Sequence, residues 1–506
     1  MVNLKETKYP FNNPVLWSVF IIYIIVSGYT IFNHELWLDE IHSWSIVKGS
    51  GSFLDLINNT RYEGHPPLWY TIMWFLSKFT HDLSYLQAIH FIIAGFIIFL
   101  ILFRSPLPIV QKTLLPFGYF FLYEYAAISR NYAIGVLIAF CICIIMRKSF
   151  KYKSILYYSL LFLLSNTHLL GLILAASFHL YFLLLQIENR IKTRAIALHV
   201  CIGLLISLPA IYFIFPPSDS ELNIDFWLSR WDFPRVSAFG QSPLRSFFPV
   251  PAWWNYNSWN TQFLLEAKKE YGILRFINFF ISIAILISAL FILKANKKSS
   301  ILFATNFLLS LIVSVVIFSL NSPRYSGFLF ISLVVSYWLH CYEITPLRKQ
   351  QLLFNIFLAI QIIAAVFSVS KDIRFPFSNS YKVNELIREV PENELLVTDY
   401  RGLITVKAFT NKSLYCIDLQ KEVAFVLWNK DIVAVYKNPH RYYNGVESLF
   451  QKQKIQRLYI ISTSSPEVLA NADVQLFNSF TVKLIDKREG AIEKGSNLYL
   501  YEVSRK

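Results

Sequence analysis

The sequence predicts an all-α polytopic membrane domain followed by a small C-terminal α/β domain, with the boundary near residue 370. Three observations predict it. Apolar runs of spanning length recur through residues 1–370, basic residues collect in the short connections between them, and after Lys371 the runs shorten and alternate with polar residues. Of 506 residues, 55% are hydrophobic, 17% aromatic and only 16% charged, a balance that suits lipid better than water. The net charge of +15 is spread in clusters between apolar runs, as membrane topology requires, so nucleic acid is excluded as a partner and membrane lipid is the expected one. The five cysteines show neither a disulfide framework nor metal-ligand spacing.

A spanning helix needs roughly 20 mostly apolar residues. Eleven runs qualify or nearly so: 14–32, 84–103, 113–129, 131–147, 153–166, 169–187, 196–215, 273–293, 300–320, 326–341 and 351–370. The first follows a polar start carrying Lys5 and Lys8 and lacks a small-residue cleavage site, so it reads as a retained helix. A twelfth stretch, 66–79, opens with Pro66-Pro67 and is short for a span. If it lies along the surface, the helices alternate so that Lys5 and Lys8, Arg104 and Lys112, Arg147 to Lys153, Arg190 to Arg194, Lys294 to Lys298, and Arg348 with Lys349 all fall on one side. The positive-inside rule makes that side cytoplasmic. Left outside are the loop 33–83, the turns at Arg130 and His168, the long loop 216–271, the turn 322–325 and the tail 371–506.

In the tail, the runs 395–398, 432–436, 458–461 and 498–501 read as strands, and 445–452 as a helix. The loop 216–271 carries Trp227, Trp231, Trp253, Trp254 and Trp259; it reads as a structural loop resting on the membrane, with a lid over a site as the alternative. The Ile-, Lys- and Asn-rich, Gly-poor composition fits a bacterial inner membrane, although the endoplasmic reticulum would share this topology.

Chemistry-bearing residues gather on the outer side. The first loop places Asp39 and Glu40 together in Leu36-Trp37-Leu38-Asp39-Glu40-Ile41-His42-Ser43-Trp44. Acidic groups beside a bilayer usually serve a function; the plainer reading has Asp39 capping a short helix and Glu40 solvated. Further on, Glu63 and His65 stand two apart ahead of Pro66-Pro67. Two ligands are a weak metal signal, so a divalent metal and a hydrogen-bonding role for His65 are both open. Arg130 with Tyr132, and Arg324 with Tyr325, break the positive-inside pattern on the same face. Guanidinium groups there either reach anionic lipid or grip a phosphate. His168 shares the face, lining the site or bonding between helices.

These residues resemble the polytopic glycosyltransferases of the C-type fold, which include protein O-mannosyltransferases and the aminoarabinose transferases of lipid A. The acidic pair Asp39-Glu40, then Glu63-Gly64-His65-Pro66-Pro67, then Arg130-Asn131-Tyr132 and Pro323-Arg324-Tyr325 occur in the family's order across about the first 370 residues. Ile41 and His42 depart from it, standing where many relatives have small residues. The resemblance implies a polyprenyl-phosphate-linked sugar as donor and a hydroxyl of a glycan, lipid or protein outside the cytoplasm as acceptor. It implies Asp39 as general base, with Glu40 beside it in the catalytic pair, Arg130, Tyr132, Arg324 and Tyr325 at the donor phosphate, and Glu63 and His65 around substrate or metal, where His168 on the same face is a further candidate. A transporter of lipid-linked sugars is the rival from another class, but transporters place ionisable groups at the midplane. An inactive scaffold is the third reading.

Overall fold

The computed structural model describes residues 11–148, 150–220, 239–267, 273–316, 320, 322–410 and 414–506. Lys5, Lys8, Trp227 and Trp231 lie outside the described residues. Among the described residues, eight helices are long and apolar enough to cross a membrane: Pro14–Asn33 (α1), Ser84–Arg104, Leu169–Glu188, Thr193–Ile214, Phe276–Leu293, Lys297–Val316, Pro323–Glu343 and Arg348–Arg374. Several carry large apolar side chains on their exposed faces, such as Ile21, Ile22 and Ile25, Leu204, Leu205 and Leu208, and Phe276, Phe279 and Phe280. Apolar patches of this extent demand lipid. The chain thus fits a multi-pass membrane protein.

The other three expected spans do not reach that length. Two are shorter apolar helices of 16 and 13 residues, Tyr132–Arg147 and Lys153–Ser165. The third, 113–129, is not one helix. It passes from the helical turn Ile109–Leu114 through a 3₁₀ turn, Leu115–Phe117, to a π-helical turn, Phe120–Glu124. Pro116 removes a backbone donor and Gly118 takes an extended conformation, which together interrupt the ladder. The residues of the π turn are all buried, and irregular backbone at membrane depth is tolerated only inside protein.

The expected first loop forms Leu38–Gly49 (α2), Phe53–Thr60 (α3) and Leu68–Ser77 (α4). At ten residues, α4 is too short to span, and it buries Trp69, Tyr70 and Met73 toward its neighbours. The ends of the long helices sort into two groups. Lys298 Nζ lies 2.6 Å from Glu188 and 3.6 Å from Glu343, and the Arg147 guanidinium lies 5.2 Å from the Tyr342 ring. The opposite ends bring together Asp39, Arg130 and Arg324.

After the last long helix the chain builds a six-stranded sheet in the order β3-β2-β1-β4-β6-β5, with β1 Leu395–Thr398, β2 Leu414–Cys416, β3 Lys421–Val423, β4 Arg457–Ser462, β5 Phe480–Arg488 and β6 Leu498–Arg505. β1 runs parallel to β2 and β4, while β6 pairs antiparallel with β4 and β5. The expected strand at 432–436 is instead part of a helix, Lys430–Lys437. Asn429 starts it by accepting the Asp431 N–H at 3.1 Å, and Ile432 and Val435 then bury one stripe. A five-residue apolar run has no periodicity that separates strand from helix.

The sheet region is bonded to the first loop. Ser378 and Ser380 hydroxyls donate to the Leu36 carbonyl at 2.7 and 2.6 Å, and the Trp428 ring packs 5.3 Å from His42. Deeper still, the His34 imidazolium donates to Asp372 at 2.8 Å and to Glu40 at 3.3 Å, with no solvent exposure. Burial opposes charge on His34, but the two carboxylates outweigh it and push its pKa up to about 10. A raised histidine stabilises fully below its ordinary value of 6.5, and that stability is lost as pH rises through about 10. Thermal unfolding of His34→Ala at neutral pH should show a loss on the order of 3–5 kcal/mol, because removal leaves buried carboxylates unpaired. The variant should also lack the native protein's alkaline decline; equal midpoints at pH 7 would remove His34 from this role.

Candidate active site

Asp39 and Glu40 open α2 and point in different directions. Glu40 is fully buried. Its Oε2 accepts the Trp37 N–H at 3.0 Å, closing the first turn of α2, and bonds His34; its Oε1 accepts the Ser129 N–H. Both oxygens are therefore committed to holding the chain. Asp39, one residue earlier, keeps its side chain 29% exposed. The plainer sequence reading is thus reversed: Asp39 faces the site, and Glu40, expected in the catalytic pair, caps the helix instead, because burial commits both its oxygens to the chain.

Two arginines converge on Asp39. Arg324, in the first turn of the Pro323–Glu343 helix, bonds the carboxylate at 3.0 Å through Nη1. Arg130 lies 3.7 Å from the same oxygen and donates to the Asp39 carbonyl at 2.6 Å. Burial would raise Asp39, but Arg130 and Arg324, with His42 behind them, hold it below the ordinary carboxylate value. The Arg324 guanidinium rests among rings, 5.3 Å from Trp37, 6.0 Å from Trp259 and 4.9 Å from Tyr325. Its Nε is buried and has no hydrogen-bond partner among the described residues. The turn bearing Arg130 is held by His90, whose nitrogens lie 2.9 and 3.1 Å from the Ala126 and Arg130 carbonyl oxygens.

Glu63, His65 and their neighbours form one wall. The Glu63 carboxylate pairs with His42 at 3.0 Å and accepts the Tyr70 hydroxyl at 3.2 Å. His65 Nδ1 lies 2.6 Å from the Glu63 main-chain oxygen. Burial, and then the charge of Arg130, lower the His65 pKa, so the neutral ring donates from Nδ1 and keeps Nε2 as an acceptor. Glu63 and His65 therefore do not converge as metal ligands. Among the described residues no group of three His, Cys, Asp or Glu side chains could hold an ion. These residues do not fit a metal site. Arg61 turns away to stack over Tyr212 at 4.0 Å.

Tyr132 forms the inner floor with its ring 6.3 Å from Tyr325 and 4.9 Å from His168. His168 caps the Leu169–Glu188 helix by accepting the Gly171 N–H at 3.0 Å, and a side chain added at Gly135 would meet its Nε2. It packs behind Tyr132 and does not reach Asp39 directly. Trp253 and Trp254 of the long loop are exposed, whereas Trp259 donates to Glu124 at 3.3 Å and lines the ring cage around Arg324. Asn321, just before the Arg324 turn, lies outside the described residues.

Two residues of the tail that sequence reasoning missed also approach the site. Asp39 and Arg324 are close enough to Glu493, between β5 and β6, for their charges to act on its carboxylate, and Arg401 acts on it as well. Burial lifts Glu493 above its ordinary value, against a bond from the Ser496 hydroxyl at 2.5 Å. The glycines Gly490 and Gly495 mark a turn in the sequence, but nothing local says which way that turn faces.

Comparison of the chain with family models, curated proteins and solved structures gives no match. The division of labour within the acidic pair is testable by thermal unfolding in lipid. Glu40→Gln should lower the midpoint far more than Asp39→Asn, since only Glu40 answers three buried donors. Equal losses would contradict the separation.

Proposed function

We propose that the chain is a glycosyltransferase of the C-type fold, moving a monosaccharide from a polyprenyl-phosphate carrier to a hydroxyl outside the cytoplasm. The observation that carries the reading is Asp39 gripped by two guanidinium groups in an aromatic cage, one of which retains a buried, unpartnered N–H. A buried donor without a partner is costly, and a lipid phosphate would satisfy it in the planar, bidentate geometry that arginine favours. The order of motifs along the sequence supports the family. Gathering of the basic connections at the opposite end supports placing the site away from the cytoplasm, with a bacterial inner membrane as the setting.

In the proposed reaction the acceptor oxygen attacks the anomeric carbon and forms the new C–O bond, while the bond from that carbon to the phosphate oxygen breaks. Asp39 takes the hydroxyl proton, and the configuration inverts. Arg130 and Arg324 stabilise the charge that develops on the departing phosphate. Their grip on Asp39 makes it a weak base in the free protein. An entering phosphate competes for the same guanidinium groups, loosens that grip and raises the basicity of Asp39 only when donor is bound. Tyr132 and Tyr325 line the phosphate side, and Glu63, His65 and His168 hold the walls in register.

Purified protein in lipid, given a panel of polyprenyl-phosphate sugars and membrane extract as a source of acceptors, should release free polyprenyl phosphate. Asp39→Ala should abolish release, and Arg130→Gln or Arg324→Gln should lower kcat by roughly 10²–10³-fold. Release that persists without Asp39 would displace it as the base, and no release from any donor would return the transporter and the scaffold. The pH dependence separates the two states of Asp39. The acidic limb of kcat/KM should fall below the ordinary aspartate value of 3.8, because the free carboxylate is held low. The limb of kcat should lie higher, because in the complex the arginines have turned to phosphate; coincident limbs would refute that competition.

A further inference from the structure

The segment joining β5 to β6 is pinned from two sides by parts of the chain far away in sequence. Tyr256 donates its hydroxyl to the Gly490 carbonyl at 2.5 Å, and the Asn257 amide donates to the Ala491 and Ile492 carbonyls at 3.1 and 3.0 Å. From the other side, the Ile492 and Glu493 N–H groups donate to the Pro376 and Phe377 carbonyls at 2.9 and 3.0 Å, and the Asn379 N–H donates to the Ser496 carbonyl at 3.2 Å. Gly490 and Gly495 adopt φ of +89° and +120°, backbone that other residues rarely take. A loop held this completely fixes where Glu493 stands: its N–H is bonded to Phe377, whose ring packs 5.1 Å from Trp259, the ring that lies 6.0 Å from the Arg324 guanidinium, and the charges of Asp39 and Arg324 act on its carboxylate.

The Glu493 carboxylate is only half used. Ser496 bonds Oε2, while Oε1 has no partner among the described residues. Beside Gly495 the two oxygens and Arg401 Nη1 all come within 4.0 Å of the point where a Cβ would stand, at 3.8, 4.0 and 3.9 Å. An acceptor and a donor are therefore set side by side over Gly495, a position whose φ of +120° suits glycine and few other residues. Neighbouring hydroxyls of a sugar match such a pair, one donating to the carboxylate and the next accepting from the guanidinium. A lone serine or threonine hydroxyl has no second group for it.

We propose that Glu493 is an acceptor-binding residue and that the acceptor is a saccharide with adjacent hydroxyls, oriented so that its attacking oxygen lies toward Asp39. The role rests on the transferase reading, and the sheet region is then part of the site.

The test uses the full chain in lipid with a donor that gives release, and compares graded saccharides with serine- and threonine-containing peptides as acceptors. Glu493→Gln, which keeps the shape of the side chain, should raise the saccharide KM about tenfold or more, the loss of one charge-assisted hydrogen bond. Glu493→Asp should recover part of it. Arg130→Gln should instead raise the donor KM, so the two sides of the site separate. An unchanged saccharide KM in Glu493→Gln, or native preference for peptide hydroxyls over every saccharide, would overturn the role while leaving the transferase standing. A native protein that releases nothing from any donor would bring down the transferase reading and this role together.

Discussion

A carboxylate with no access to water must be fully bonded, and Glu40 meets that requirement by joining three separate parts of the chain. It closes the first turn of α2, holds the Ser129 amide of the turn that carries Arg130, and shares His34 with Asp372 at the end of the last long helix. Charges in so dry a place are stable only as a complete set. The ends of α1, α2, the Arg130 turn and the Arg348–Arg374 helix are thereby held in one register. Everything that faces the site depends on it.

Asp39 takes its direction from that register. Successive residues of a helix point about 100° apart, so fixing Glu40 inward turns its predecessor toward the helix ends that carry Arg130 and Arg324. There it meets Arg130 and Arg324, which come from segments nearly 200 residues apart in sequence. In a site lined by Trp37, Trp259 and Tyr325 these charges are poorly screened, so the ion pairs between Asp39 and the two arginines are strong. In the proposed reaction it is this grip that an entering phosphate, drawn to the same donors, would loosen.

The sheet region contributes more than a cover. Its docking onto α2 leaves no room for a side chain at Gly49, against which Phe425 packs, and it lays Trp428 on the His42 that orients Glu63. Through the β5–β6 loop it also brings the Glu493 carboxylate to the edge of the same centre. Groups from the first loop, three helix ends and the tail thus meet in one place. The proposed transfer, with two substrates held on opposite sides of one reacting atom, would draw on all of them.

Much of this was legible in the sequence. Apolar runs of 20 or more residues report a spanning helix because lipid leaves the backbone no other way to satisfy its hydrogen bonds, and eight of the eleven expected runs form such helices. The ten-residue α4, the strands at 395–398, 458–461 and 498–501, and the exceptional arginines Arg130 and Arg324 were readable for similar local reasons. The failures are equally physical. The 113–129 run is broken by Pro116 and Gly118, yet buried well enough to survive as irregular backbone, and 432–436 was too short for its period to show. Which member of Asp39-Glu40 faces the site, whether Glu63 answers to His65 or to His42, and where Glu493 points depend on contacts between residues tens to hundreds apart. Composition and spacing determined that this chain enters a membrane and carries its unusual charges at one end of its helices. Only the tertiary structure decided which of those charges meet, because pairing is set by how helix ends pack, and no local sequence signal carries that distance.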